Sequence, residues 1–216
     1  GLMTNMPAAK HGLHLLDGAT VCYGQHTNIC VGTPLTDPKK IPSITTPSGQ
    51  FKSSKEYRAA TEDFVNLEEV VLEIEAQYKR FVELTGRQPE YFEGHAVMSP
   101  NFSQGLSIVA EHHKLKLCEI PFDGKPVIVG ETIVYGHIAS MDQNHDPFQD
   151  LQKTVKFAHE GACDVFICHP GYLDAYILKT SSLTIPRALE VEMLCDSKTK
   201  GWLAEQPIEL VTYNDL

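Results

Sequence analysis

The 216-residue chain carries 18 Lys and Arg against 28 Asp and Glu, a formal charge of −10, so it repels a phosphate backbone unless a basic patch intervenes, and none is visible. Hydrophobic residues make up 42% and charged residues 21%, ordinary for a globular protein in water, and no run reaches the roughly 18 apolar residues of a membrane span. The length suffices for one large domain with a substantial core. Cys22, Cys30, Cys118, Cys163, Cys168 and Cys195 are scattered without a CxxC pair. They read as reduced, packed thiols of a cytoplasmic protein rather than a disulfide frame or zinc knuckle. No signal peptide is visible at the first residues, and position 1 is not Met, so the chain is expected to begin inside a longer protein.

Residues 1–18 read as a strand remnant, a turn at Met6-Pro7 and a short helix. His11 and His14, three apart on that helix, lack an acidic partner nearby and are expected on a solvated face. Residues 19–23 form a strand-like run, after which Gly24 lets the backbone turn and His26 emerges at the carboxyl end. Pro34, Pro38, Pro42, Pro47 and Gly49 mark residues 31–60 as a long irregular stretch, read either as a loop over a substrate or as a mobile excursion.

The clearest helical pattern covers about 61–85. Leu67, Val70, Val71, Ile74, Tyr78, Phe81 and Val82 recur at three- and four-residue intervals, and Glu68, Glu69, Glu73 and Glu75 are expected on the wet face. Gly86 suits its C-cap and Pro89 blocks continuation. Residues 90–95 read as a strand ending in Gly94-His95. Ser99-Pro100 opens a helix running to about His113, where His112 and His113 suit the helix dipole. Residues 116–121, 125–129 and 133–138 look like strands, and 147–160 is a helix that ends before Gly161. Residues 164–168 are a strand that delivers His169 to Pro170-Gly171, which stops it at once. A loop through Asp174 leads to Pro186, which opens a helix over 187–194. A short helix at 198–205 and a strand at 208–212 follow.

Strands alternating with helices argue an α/β fold with a parallel sheet, open or closed into a barrel, and in both cases ligands bind at the carboxyl ends of the strands. His26, His95 and His169 each follow a strand and are expected on one rim. Histidines from separate strand ends, with a carboxylate, are the usual ligands of a catalytic divalent metal. Such a metal activates a water and polarises a carbonyl, while a further histidine protonates the leaving amine. His26 and His95 are read as the ligands and His169 as the proton donor. Glu93, two residues before His95, shares its side of the strand and can orient an imidazole. Asp174 and Glu190 are further acidic candidates, with Arg187 three residues from Glu190 and able to pair with it.

The segments Gly24-Gln25-His26, Gly32-Thr33-Pro34-Leu35, Glu93-Gly94-His95, Cys168-His169-Pro170-Gly171 and Pro186-Arg187 with Glu190 together resemble successive blocks of the YdjC-like carbohydrate deacetylases. Members of that family remove an acetyl group from chito-oligosaccharides. The resemblance implies a TIM-barrel-like (β/α) barrel related to polysaccharide deacetylases, a single domain over 1–216, with 31–60 as a long loop over the site. It implies one divalent metal held by an Asp and two His, with His26 and His95 as those ligands and His169 as acid or transition-state donor. Asp174 and Arg187 are then expected to bind substrate, and Glu93 and Glu190 to support the imidazoles. The family's first strand, with an Asp pair that supplies the remaining ligand and the general base, is not in this chain, and Glu93 stands where relatives often have Asp.

Two imidazoles and a carboxylate suit zinc, whereas a water-exposed site with few protein ligands admits magnesium. The expected partner is a small carbohydrate, with no nucleic acid and no membrane, and a homodimer is left open. The expected function is metal-dependent removal of an acetyl group from an N-acetylated sugar or chito-oligosaccharide. A non-catalytic sugar-binding or regulatory barrel is the alternative if the chain truly starts at Gly1. A barrel isomerase of phosphorylated sugars would want a phosphate-binding glycine loop near the last strands, and the sequence lacks one.

Overall fold

Strand β1 (Gly24–Thr27) runs parallel to β2 (Tyr91–Gly94), with Gly24 opposite Tyr91 and His26 opposite Glu93. The computed structural model describes residues 1–118, 124–142 and 144–216. The chain divides into two units, Gly1–Glu119 with Val211–Leu216, and Ile120–Leu210.

In the first unit, single parallel bridges extend the pair on both sides, Leu2 to Gln25 and Leu117 to Phe92. The expected strand remnant near the start is therefore present, followed by helix α1 (Ala9–Leu15). Of the strand expected at 116–121, residues 119–121 lie outside the described residues. No strand forms at 19–23: the Tyr23 N–H donates to the Glu90 carboxylate instead of to a ladder, and Val21 is exposed. His26 consequently lies inside β1 and not beyond a strand end.

Residues 31–60 are irregular but packed. They hold a 3₁₀ turn at Pro38–Lys40 and helix α2 (Ser54–Ala59), and Ile41, Ile44, Phe51 and Tyr57 are buried in the core. Helix α3 (Leu67–Thr85) starts later than periodicity suggests, because Asn66 caps it by accepting the Glu69 N–H, and ends as expected at Gly86 with φ 71°. Helix α4 (Pro100–His113) begins where Ser99 accepts the Phe102 N–H. Val70 and Ile74 of α3 pack with Phe102, Leu106 and Val109 of α4 and with Phe92 of β2.

The acidic face of α3 is not simply wet. Glu73 is fully buried and accepts the Leu35 and Thr36 N–H groups and the Gln77 amide. Burial pushes its carboxyl up, and those hydrogen bonds oppose the shift. Glu69 accepts the Ser43 N–H, and Glu75 accepts hydrogen bonds from His112 and His113 at the end of α4. Gln77 accepts the Asn28 N–H and donates to the Asn28 carbonyl, tying the end of β1 to α3.

The second unit contains β3 (Val127–Val129), β4 (Thr132–Ile138), α5 (Pro147–Lys156), β5 (Cys163–Ile167), α6 (Ala175–Thr180), α7 (Ile185–Cys195) and α8 (Ser197–Ala204). β4 and β5 are parallel, linked through α5, but β3 and β4 form an antiparallel hairpin that the expected all-parallel order lacks. Asp174 starts α6 where a loop was expected, by accepting the Ile177 N–H. No strand forms at 208–212, where Leu210 is 73% exposed. The fold is mixed α/β, and the described residues form one two-stranded and one three-stranded sheet, neither closed among them. Among the described residues no helix is long and apolar enough to cross a membrane.

Glu73→Ala leaves the Leu35, Thr36 and Gln77 donors without their acceptor. The expected cost is about 3 kcal/mol in urea denaturation, because buried groups lose their partner together.

Candidate functional site

The register of β1 and β2 brings two histidines 69 positions apart into contact. His26 Nε2 lies 2.9 Å from His95 Nδ1, and the rings meet edge-on with centroids 4.9 Å apart. His26 Nδ1 lies 2.8 Å from Glu93 Oε1, and both side chains are about one quarter exposed, at 27% and 25%. With Nδ1–H donated to the carboxylate, His26 keeps its lone pair on Nε2, the atom that faces His95. Glu93 thus orients His26, its neighbour across the ladder, rather than His95, two residues further along its own chain segment.

Two glycines allow this approach. A Cβ on Gly24 would fall 2.1 Å from the Tyr91 ring, on which Tyr213 stacks at 4.0 Å. One on Gly94 would fall 2.9 Å from Phe102. Gly24 therefore serves close packing and not the turn expected of it. Gly1 passes against the same group, since a Cβ there would fall 2.5 Å from Glu93 Oε1. Directly after His95, Ala96 adopts φ 50°, a left-handed conformation that costs an L residue about 1–2 kcal/mol and turns the chain sharply.

Two converging imidazoles, one of them oriented by a carboxylate, fit two ligands of a divalent ion. Groups of three or more convergent ligands among the described residues are Glu75 with His112 and His113, and His137 with His159 and Asp164. Neither contains His26 or His95.

In the second unit, His169 follows β5 by two residues and is clamped by α7. Its N–H donates to Glu190 Oε2 at 2.5 Å, and its carbonyl accepts from Arg187 Nη1 at 3.1 Å. Arg187 Nε also donates to the Leu183 carbonyl, and the Gly171 N–H donates to the Arg187 carbonyl. The expected Arg187–Glu190 ion pair does not form among the described residues, because each side chain is taken up by the His169 turn or its own helix start. Glu190 is 1% exposed and also accepts from Ser140 Oγ at 2.5 Å. Ser140 Oγ lies 3.1 Å from His169 Nδ1. The serine's one proton goes to Glu190, so His169 donates Nδ1–H to Ser140, which assigns proton exchange to Nε2.

His145 stands behind this group. Its Nδ1 lies 2.9 Å from Asp150 Oδ2, and its Nε2 lies 3.3 Å from Glu190 Oε1, near enough for charge pairing yet not aligned for a hydrogen bond. Ser140, His145 and Asp150 carry no local signal of this role in the sequence. Only long-range contacts reveal them; Asp174, by contrast, offered a local helix-cap signal. A cleft of about 410 Å³ in this unit is lined by His137, Asp150 and Lys153, not by His169.

None of the six cysteines forms a disulfide. Burial pushes Cys30 up to about 11; burial and then Glu190 push Cys168 up to about 12.

Fold and site define a mixed α/β protein with two histidines paired at adjacent parallel strands, His26 within β1 and His95 just past β2. The chain belongs to the YdjC-like protein family, whose pattern matches residues 1–205. It is 28% identical over 234 residues to carbohydrate deacetylase 2 of Listeria innocua, covering 100% of this chain and 86% of the relative. It is 27% identical over 224 residues to a chitooligosaccharide deacetylase of Escherichia fergusonii, covering 99% and 86%. The crystal structure of a candidate cellobiose-phosphate cleavage protein from Enterococcus faecalis superposes with a TM-score of 0.79 at 21% identity, over 99% of this chain and 85% of that one.

Alkylation with iodoacetamide at neutral pH is expected to label the exposed Cys195 first. Cys30 and Cys168, whose raised pKa leaves them almost wholly as thiols, are expected to react only after unfolding, as read by peptide mass spectrometry.

Proposed function

We propose that this chain is a metal-dependent hydrolase that removes the acetyl group from an N-acetylated sugar or chito-oligosaccharide. The observation that carries the reading is the 2.9 Å approach of His26 Nε2 to His95 Nδ1, with Glu93 holding the far side of His26. The substrate class is supported by the names of the Listeria and Escherichia relatives. A divalent ion, magnesium or zinc, would supply Lewis acidity toward the amide carbonyl and a water of lowered pKa.

In this reading His26 and His95 hold the ion, and Glu93 fixes the tautomer of His26. His169 acts from its imidazolium form: it gives the Nε2 proton to the leaving amine and keeps Nδ1–H on Ser140. Glu190 and Arg187 keep the His169 backbone in place. After His169, Tyr172 and Tyr176 are 82% and 60% exposed, and such aromatic faces suit a sugar ring. Arg187, and Asp174 at the start of α6, are assigned to the substrate side of this reading. The proposal includes the (β/α) barrel architecture and single-domain organisation of the family resemblance and a cytoplasmic setting. The parallel pairs β1/β2 and β4/β5 support the barrel.

A second reading, a sugar-binding protein without hydrolysis, is favoured by one observation: among the described residues no carboxylate joins His26 and His95 in a three-ligand group.

Acetate release from diacetylchitobiose separates the two. The proposal expects release that chelation abolishes, that falls about 10²–10⁴-fold in His169→Gln, and that is undetectable in His26→Ala/His95→Ala. Release that survives chelation or loss of both histidines would sink it, and sugar binding without any release would establish the second reading.

A further inference from the structure

β4, the turn after α5 and the start of β5 bring together three side chains that the proposed reaction does not use. His137 Nε2 lies 2.6 Å and His159 Nδ1 2.9 Å from Asp164 Oδ1, and one donor atom from each residue falls within 4.8 Å of the others. The strand register produces this meeting. Tyr135 stands opposite Asp164, so His137, two residues further along β4, shares its face and reaches diagonally to the carboxylate. His159 arrives from the turn before β5, which Gly161 completes at φ 73°.

Further contacts hold the donors in place. The His159 N–H donates to Asp164 Oδ2 at 2.8 Å, which leaves Oδ1 for the two imidazoles. The Tyr135 ring stacks on His159, with centroids 3.6 Å apart and planes 6° apart. The Asp164 side chain is 7% exposed, whereas those of His137 and His159 are 30% and 43% exposed. Burial opposes ionisation of Asp164, but the His159 N–H and the two imidazoles outweigh it and hold the carboxyl below its usual range. A fixed, nearly buried carboxylate therefore faces two solvent-reachable imidazoles whose orientations are set by their neighbours.

We propose that His137, His159 and Asp164 form a binding site for one divalent transition-metal ion of the zinc class, sharing no residue with the His26/His95 pair. Two imidazoles and one carboxylate favour such an ion over magnesium or calcium, which prefer all-oxygen sets. Each neutral imidazole can present the required lone pair by moving its proton to the other ring nitrogen. His137 also lines the cleft of about 410 Å³, a route of entry from solvent. Once bound, the ion pins β4 to the turn that feeds β5. Glu75 with His112 and His113 is a weaker candidate: His112 is 70% exposed, and the trio already serves to fasten α4 to α3.

The test counts zinc. The full chain is equilibrated with zinc chloride, dialysed and analysed for bound metal, beside His137→Gln/His159→Gln. The double variant is expected to hold one equivalent less than its parent, whatever the parent holds at His26 and His95, so the outcome is independent of the proposed deacetylase reading. His159→Gln alone, at the most exposed ligand, keeps the test decisive should the double variant not fold, and it is expected to weaken zinc binding roughly tenfold or more. A parent that binds no zinc, or folded variants that hold as much zinc as tightly as the parent, would overturn the proposal.

Discussion

The parallel register of β1 and β2 is the constraint on which the first unit's chemistry depends. It sets His26 opposite Glu93 and brings His95, just past β2, within 2.9 Å of His26. A slip of one residue would turn His26 to the other face and separate the pair. The register is enforced from several sides. Tyr91 covers Gly24 so closely that no other residue fits there, α4 packs against Gly94, and Gln77 holds both backbone groups of Asn28. Much of the core of this unit, including Val70, Ile74, Phe92, Phe102 and Leu106, acts as the mould for a two-histidine arrangement at its edge.

The second unit uses a buried carboxylate for a similar end. An ionisable group at 1% exposure is costly unless its oxygens are satisfied, and Glu190 meets that demand with the Ser140 hydroxyl, the His169 N–H and the nearby His145 ring. The same contacts that satisfy Glu190 fix the His169 backbone and, through Ser140, its ring. Arg187 completes the clamp by donating to the backbone carbonyls of His169 and Leu183, both ahead of α7. Position and tautomer of His169 are thus products of one network rather than of the strand that precedes it.

What was legible in the sequence was local. Ser99-Pro100 and Gly86 marked helix ends because capping depends on neighbours in the chain, and the apolar stripe of α3 followed from its period. The alternation of strands and helices indicated the α/β class. Residues 19–23 and 208–212 have strand-like composition but find no ladder partner, and partners are not encoded in a short window. Glu73 looked like one more wet carboxylate because its donors, Leu35 and Thr36, lie in a distant irregular stretch. Arg187 and Glu190 have the spacing of an ion pair, yet each met a stronger competitor across the fold. Ser140 and His145 carried no signal, since their role exists only once β5 and α7 are in place.

In the proposed reading the β1/β2 register builds a two-histidine ion site oriented by Glu93. Anomalous diffraction at the zinc edge from crystals of this chain grown with zinc tests it most directly. The expected result is an anomalous peak within bonding distance of both His26 Nε2 and His95 Nδ1, with Glu93 still on His26 Nδ1. Two rings turned away from one another, with no peak between them, would contradict it.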